Sequence, residues 1–354
     1  MQKIRANIHL RNIRANAQAF KTLTGTRLCA VVKANAYGHG AEETVCALEG
    51  IADVFAVSLL CEAVAIRTAA CGKDILILTP PVNEEDVYLA LANGFILTVP
   101  DLVTARLVAK TSGKYRLKAR VHLKVNTGMN RYGMNGSMLG KVCKFLRGNE
   151  RVSTEGLYSH LYGGTRASAE KQRALFLEME RVCRRYFPDI LCHLSATFGA
   201  TLGKEFAFDM VRIGIGLYGY LPDSATVDGE VVKKLGLRKA MTVYAVTTVN
   251  RRYSFGGAGY GTPCGKIEKG ERLSVCRIGY ADGILRKREN GVCEWERNAN
   301  NACMDACVRT ENKRRGAWVK ILDDAAETAR LTGTISYEVL CAATRRAEMT
   351  YDDE

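Results

Sequence analysis

Short runs of β-branched and other apolar residues recur along the first two thirds of the chain. Each is followed by a stretch in which apolar residues fall three or four positions apart. The runs predict strands at 30–32, 53–58, 74–79, 95–99, 120–126, 154–161, 191–196 and 209–218. The helical spacing between them predicts helices over 41–48, 61–70, 84–93, 102–111, 137–147, 169–186 and 197–205. A strand over 4–10 and a helix over 12–23 precede the series. Gly50, Gly72, Gly94, Gly113 and Gly148 stand just past five of these helices, where a left-handed cap is expected. Strands and helices alternating over about 190 residues give the cadence of a (β/α)8 TIM-like barrel. An open doubly wound sheet is the alternative; the lack of a Gly-rich fingerprint after the first strand favours the barrel.

Beyond residue 222 the texture changes. The stretch 232–250 is rich in Val, Thr and Tyr, 256–261 (GGAGYG) reads as a turn, and 272–279 and 317–322 read as strands. The pattern predicts a barrel over 11–222 and a mostly β domain over 223–354, with the N-terminal strand, 1–10, assigned to the second domain. The peptide Gly214-Ile215-Gly216-Leu217-Tyr218-Gly219 fits GxGxxG, but LPDSATVDG follows it and does not open a helix. The dinucleotide reading fails on that context.

Composition narrows the function classes. The 354 residues are 47% hydrophobic and 25% charged, ordinary for a globular protein. The longest apolar region, 51–66, is broken by Asp53 and Glu62, so no membrane span is expected, and the first residues lack a signal-peptide core. The expected compartment is the cytoplasm. The thirteen cysteines are scattered singly and read as reduced thiols; Cys303 and Cys307 lack the second pair that a structural zinc site needs. The formal charge of +14 is spread along the whole length, with only Arg184-Arg185 and Lys313-Arg314-Arg315 clustered. A solvated basic surface that attracts small anions fits this better than nucleic-acid binding.

The most informative peptide is AVVKANAYGHG, 30–40. An apolar strand runs straight into Lys33, and the C-terminal strand ends of a barrel form its reactive rim. Apolar walls disfavour the ammonium, and a neutral lysine amine is what condensation with a carbonyl requires. A lysine that merely reaches the surface at a strand end is the alternative. Lys124, Arg131, His160, His193 and Arg212 also fall at or just beyond strand ends, and that shared rim favours chemistry.

At this point the chain resembles the alanine racemase family. The resemblance is carried by AVVKANAYGHG, HLKVNTGMNRYG, RIGIGLYG, AGYGTPCG, RIGYADG, CMD and TGTISYEVLC, which occur in family order along almost the whole chain. It implies the interconversion of L- and D-alanine by a cytoplasmic homodimer dependent on pyridoxal 5'-phosphate (PLP), supplying D-alanine for peptidoglycan. Lys33 corresponds to the lysine that holds PLP and serves as one base. Tyr260 corresponds to the opposite-face tyrosine, contributed by the partner subunit. Arg212 corresponds to the arginine facing the PLP ring nitrogen, and His160 to the histidine between that arginine and the tyrosine. Tyr37, Thr197 and the backbone of Gly214 and Ile215 correspond to the phosphate site, with Tyr280 at the entrance and also reaching the phosphate. Arg131 corresponds to the arginine that bonds the cofactor's phenolic oxygen and the substrate carboxylate, and the Met304 N–H, from the other subunit, to the group that completes carboxylate capture. Lys124, a carbamylated lysine in many relatives, His193 and Asp305 take supporting places.

Departures bear on specificity. Ala196 stands where relatives carry asparagine, 284–301 lacks the usual pattern, and Arg345 aligns with a tyrosine near the substrate side chain. A racemase preferring serine or of broad specificity, and a PLP-binding paralogue without turnover, are the alternatives.

Overall fold

The computed structural model describes residues 4–255, 269–285, 302–310 and 312–352. Two compact units divide the chain: residues 13–36 with 41–238, and residues 1–12, 37–40 and 239–354.

The chain opens with β1 (Ile4–His9) and enters the barrel unit within α1 (Leu10–Thr24). There β2 (Arg27–Val31) leads into α2 (Lys33–Gly38) and α3 (Ala41–Ala47). The repeat continues through β3 (Val54–Val57), α4 (Leu60–Ala65), β4 (Asp74–Ile77), α5 (Glu84–Ala92), β5 (Ile96–Val99) and α6 (Leu102–Tyr115). It is completed by β6 (Ala119–Lys124), α7 (Gly136–Arg147), β7 (Val152–Tyr158), α8 (Arg166–Arg184), β8 (Leu191–His193), α9 (Thr197–Ala200) and β9 (Met210–Ile213). The eight strands pair in chain order from β2 to β8, and β9 returns beside β2, every ladder being parallel. Hydrogen bonds from Asp209 N to Cys192 O (3.0 Å) and from Arg212 N to Ser195 O (2.9 Å) draw the two edges together into a nearly closed barrel. The strands are buried on both faces, which is why they read as continuous apolar runs rather than as alternation.

Side-chain caps set where the outer helices begin. Asn83, Asp101, Asn135 and Thr165 each accept the backbone N–H three residues on, satisfying a donor that has no intrahelical partner. At the C-termini the glycine expectation holds for Gly94 (φ +69°) alone of the five; Gly72 is left-handed (φ +81°), but α4 already ends at Ala65 with Ile66 as its cap, short of the expected 70. Gly148 has φ −85°, and Gly50 is outside the left-handed region because Ile51 and Ala52 both return to Leu48 O. α6 runs through Gly113 and stops at Arg116 (φ +55°). Its last turn is anchored by Lys114 on Glu84 and by the Tyr115 ring 4.5 Å from that of Tyr88. The helix thus continues through a residue that disfavours a helix interior by ~1 kcal/mol.

The stretch 232–250, expected as strand-rich, divides in two. Residues Gly229–Leu235 form α10, because Asp228 caps Glu230 N and Gly236 takes a left-handed φ of +52°. The strand β10 (Met241–Arg252) follows in the second unit. There β11 (Arg272–Cys276), β12 (Cys307–Arg309), β13 (Trp318–Leu322) and β14 (Glu348–Asp352) complete a six-stranded sheet in the order β12-β11-β10-β1-β14, with β13 also on β10. Its pairings are antiparallel except β1 with β14. Two helices that the pattern did not predict, α11 (Ala325–Thr332) and α12 (Ser336–Ala343), lie between β13 and β14 in the chain. Among the described residues no helix is long and apolar enough to cross a membrane.

Candidate active site

Lys33 follows β2 and opens α2, whose hand is reversed. Ala34, Asn35, Ala36 and Tyr37 all have φ between +51° and +53°, and Gly38 has +83°. A left-handed conformation disfavours each non-glycine residue by roughly 1–2 kcal/mol, so several kilocalories of strain sit beside the lysine. Three hydrogen bonds impose the turn: Ala36 N to Val32 O (2.8 Å), Ala34 N to Glu62 Oε1 (2.6 Å) and Ala41 N to Asn35 Oδ1 (2.8 Å). The result redirects the chain within five residues and leaves Lys33 half-buried at the C-terminal mouth of the barrel. Lys124 is the more deeply buried lysine, 7% exposed.

Arg212, at the end of β9, is 3% exposed and organises the interior. Its Nη1 donates to His193 Nδ1 and to His193 O, both at 2.9 Å. Its Nη2 donates to Ser159 O (2.6 Å), to Leu194 O (2.9 Å) and more weakly to His160 Nδ1 (3.4 Å). The four Nη hydrogens are thereby used, and Nε–H is the donor with no acceptor among the described residues. Burial lowers the Arg212 pKa to about 10, so the group remains a cation at neutral pH.

Because a guanidinium only donates, His193 Nδ1 must accept and the proton must lie on Nε2. Nε2 then donates to His122 Nδ1 at 3.0 Å, which places the His122 proton on its own Nε2. The same logic puts the His160 proton on Nε2. Desolvation, followed by the charge of Arg212, holds His193 and His160 well below the ordinary imidazole value; desolvation lowers His122 to about 4. All three rings are therefore neutral at pH 7. His193 also stacks on Tyr158 (4.7 Å, 7° between planes), whose hydroxyl meets Thr98 Oγ1 at 2.7 Å.

The Lys124 amine lies 4.1 Å from the centre of the Tyr158 ring. Desolvation first, then Arg212 and Arg131, push its pKa far below that of an ordinary lysine. Arg131 is exposed, in a loop that doubles back on β6. Asn126 Oδ1 accepts from Gly128 N and Asn130 N, and Met134 N returns to Lys124 O. Gly133 (φ +114°) makes the return possible, since a Cβ there would lie 2.5 Å from Val125 C.

Thr197, buried at the start of α9, accepts from Gly216 N at 3.2 Å. Gly214 and Ile215 precede it at the head of a 3-10 turn (Ile215–Tyr218), and the described residues supply no acceptor for either N–H. A Cβ on Gly216 would meet the Phe20 ring at 2.5 Å and Thr197 Cγ2 at 3.0 Å, so the turn packs only as glycine. Adjacent outward N–H groups with a hydroxyl beside them make an anion cradle. The residues present therefore fit a group with a phosphate, a basic ring nitrogen and an amine-reactive carbonyl.

At the opposite, N-terminal mouth of the barrel a cavity of about 560 Å3 is lined by strand starts including Arg27, Asp74, Arg120 and Glu155. Arg120 donates to Asp74 Oδ2 (2.9 Å) and to Glu155 Oε2 (2.8 Å), an ion-pair layer that joins three strands. That end of a barrel is where structural interactions gather.

In the second unit the Tyr37 ring is buried, 5.9 Å from that of Tyr337, and burial raises its pKa. Tyr280 and Met304 are exposed, while Asp305 pairs with Arg346 at 2.7 Å. Tyr260 lies outside the described residues. The structure thus gathers Lys33, Lys124, His160, His193, Thr197, Arg212, Gly214 and Ile215 in the barrel unit, and Tyr280, Met304 and Asp305 in the other. The sequence pattern did not single out His122, Ser159, Tyr158 or Tyr337. Two-residue periodicity was the available signal for the first, because Arg120, His122 and Lys124 alternate along β6.

A lysine-bearing turn, a buried arginine and an anion cradle on one parallel barrel, in a chain that also carries a mostly β unit, define the class of barrel enzymes built to hold a phosphate-bearing, amine-reactive group. A family model of the alanine racemase N-terminal domain matches residues 8–222, and one of the C-terminal domain matches residues 240–351. An alanine racemase of Lactobacillus delbrueckii subsp. bulgaricus is 32% identical, covering 98% of this chain and 97% of the relative. The biosynthetic alanine racemase of Pseudomonas aeruginosa superposes with a TM-score of 0.86 at 28% identity, over 99% of this chain and 100% of that one. That of Clostridium difficile 630 gives 0.86 at 27%, over 99% and 96%. The chain belongs to the alanine racemase family.

Proposed function

We propose that the protein racemises alanine with PLP held by Lys33, using Lys33 and Tyr260 of a second copy as acid–base groups on opposite faces of the substrate, and so supplies D-alanine for peptidoglycan. When bound, PLP supplies an electron sink that makes the substrate Cα–H acidic enough to transfer. The observation that carries this reading is Arg212. Its Nη donors are saturated by the protein, and its remaining Nε–H offers a permanent cation to a ring nitrogen. A donor that never releases its proton keeps that nitrogen unprotonated and limits delocalisation into the ring.

The other residues follow from their settings. Gly214 and Ile215 N–H, with Thr197 and Tyr37, hold the phosphate; Tyr280 guards the entrance and reaches toward it. Arg131 and the Met304 N–H of the second copy hold the substrate carboxylate. The Lys33 amine takes or returns the Cα proton on its own face. His160, neutral with its proton on Nε2, can donate to the Tyr260 phenolic oxygen and help hold that oxygen deprotonated in a cationic field. Lys124, a neutral amine with no carboxylate partner among the described residues, suits reaction with CO2. Its N–C bond forms with loss of one proton, and the resulting carbamate anion orients Arg131.

The test is turnover over a panel of single-enantiomer amino acids, including serine because of Arg345. Interconversion of alanine is expected. Lys33→Ala is expected to abolish the visible absorption of bound PLP. Tyr260→Phe is expected to retain that band and lose most racemisation. Wild-type rates in Tyr260→Phe would refute the two-base scheme, and sedimentation that shows only monomers would refute the shared site.

A further inference from the structure

In the β unit, the two elements that carry Tyr280 and Met304 are joined by one side chain. The turn Tyr280–Asp282 and the segment 303–305 lie back to back, with Tyr280 N donating to Cys303 O and Ala281 N to Met304 O, both at 3.0 Å. The approach is so close that a Cβ on Gly279 would lie 2.3 Å from both carbonyl oxygens. Gly283 (φ +104°) seats the same turn on the end of α12, where a Cβ would fall 1.9 Å from Ala342 O. Arg346 emerges three residues beyond α12 and reaches both elements. Its Nε donates to Asp282 Oδ1 at 2.7 Å and its Nη2 to Asp305 Oδ1 at 2.7 Å.

The two carboxylates differ. The Asp282 side chain is 5% exposed and also accepts Gly279 N at 2.7 Å, whereas that of Asp305 is 61% exposed. A buried carboxylate requires its cation, and the same guanidinium also pairs with an exposed aspartate directly beside Met304. A guanidinium meets the two with separate nitrogens of one rigid plane, whereas an ammonium would have to converge on both from a single atom.

We propose that Arg346 is a positioning residue for the carboxylate site: by holding Asp282 and Asp305 together it fixes Tyr280 against Met304 and so sets affinity for the substrate carboxylate. The inference rests on the proposed roles of Tyr280 and Met304. Arg346 touches neither substrate nor cofactor.

The experiment compares PLP-loaded wild type, Arg346→Met and Asp305→Asn. The readouts are amide hydrogen exchange at Tyr280 and Ala281, competitive inhibition by propionate, and steady-state kinetics with alanine. In Arg346→Met both amides should exchange about tenfold faster, because the bonds to Cys303 O and Met304 O lose their brace. The propionate inhibition constant and KM should each rise about tenfold, with kcat changed by less than about threefold, the pattern of lost uniform binding. Asp305→Asn, a surface change that leaves the Asp282 pair intact, should shift the same quantities in the same direction by less, and it keeps the test alive if Arg346→Met does not fold. Exchange and propionate affinity within twofold of wild type in either folded variant would overturn the proposal. So would faster exchange with unchanged affinity, since the bridge would then be structural only. A wild-type enzyme that fails to racemise alanine would instead overturn the reading of function, while the exchange comparison would still report on Arg346.

Discussion

Replacing Arg212 by Met keeps most of the side-chain volume and removes every polar contact. The loss comprises bonds to His193 Nδ1, His193 O, Ser159 O and Leu194 O, all between 2.6 and 2.9 Å. Hydrogen bonds from a charged donor contribute about 1.5–3 kcal/mol each, and a buried carbonyl left without a donor costs about 1–3 kcal/mol. His193 O keeps Ser159 N as a second donor at 3.4 Å and counts least. Against this, the variant no longer desolvates a cation, a relief of several kcal/mol. The balance predicts a net loss of about 3–5 kcal/mol, a large share of the roughly 5–15 kcal/mol that holds a domain folded. The assay is urea unfolding of cofactor-free protein at one concentration, so that lost PLP binding does not enter the difference. Arg212→Lys, with one compact donor group, should lose about half as much. A loss below about 1 kcal/mol in Arg212→Met, with an unchanged urea slope, would refute the claim that this guanidinium organises the barrel interior.

Acid stability gives a second prediction. The folded pKa values of His122, His160 and His193 lie below their unfolded value, so unfolding takes up protons. Stability is full above about pH 6.5 and falls as pH drops toward 4, with a slope near two to three protons, or roughly 3–4 kcal/mol per pH unit. Denaturation midpoints between pH 7 and 5 measure it, and a slope under one proton would exclude three buried neutral rings. Ala34 is exposed but left-handed, so Ala34→Val should lower stability by more than about 1 kcal/mol, where an ordinary exposed helix site would lose about half that. Thermal unfolding decides it. If Lys124 is carbamylated, CO2-free buffer should raise KM for alanine about tenfold, the ~1.4 kcal/mol of one charge-assisted contact, and bicarbonate should restore it. Native mass spectrometry that shows no added 44 Da (the mass of CO2) and no bicarbonate response would end that assignment.

The barrel was legible because each parallel strand is buried on both faces and each outer helix carries a one-sided apolar stripe. The expected starts at 84, 102 and 137 lie on or one residue from the observed ones, where Asn83, Asp101 and Asn135 supply the caps. What was not legible was set by tertiary contacts. Ala34 and Ala36 favour the right-handed region, and only the bonds to Glu62, Val32 and Asn35 hold α2 left-handed. Gly113 reads as a helix stop, yet Lys114 and Tyr115 find partners on Glu84 and Tyr88 that carry α6 past it. α10 hid in a β-branched stretch because Asp228 and Gly236, not its interior, define its ends. Among the site residues, those at strand ends stood out as polar groups closing apolar runs. His122 did not, because a polar residue inside a strand looks like an outward-facing one until its alternation with Lys124 is followed into the barrel.

That interior accounts for the chemistry of the mouth better than any single residue does. The charges that act on Lys124 and His160 are all cations, and those on Arg212 are Arg131 and the weakly acidic Tyr158 and Cys29; no carboxylate is among them. A protein rarely desolvates several like charges without counterions, because each addition raises the electrostatic work of the next. Desolvation first and the neighbouring cations second release protons from Lys124, His160 and His193, and the arrangement is stabilised when anions arrive. Under the proposed function two anions arrive with the ligands, a phosphate at Gly214 and Ile215 and a carboxylate at Arg131. The same field lowers the proton affinity of any phenol brought near His160. One uncompensated positive potential thus adds to desolvation in keeping Lys124, His160 and His193 neutral, and under the proposed function it favours a doubly anionic occupant. It also predicts that placing a carboxylate in this layer, as in Ser159→Asp, would re-protonate His160 and weaken anion binding together.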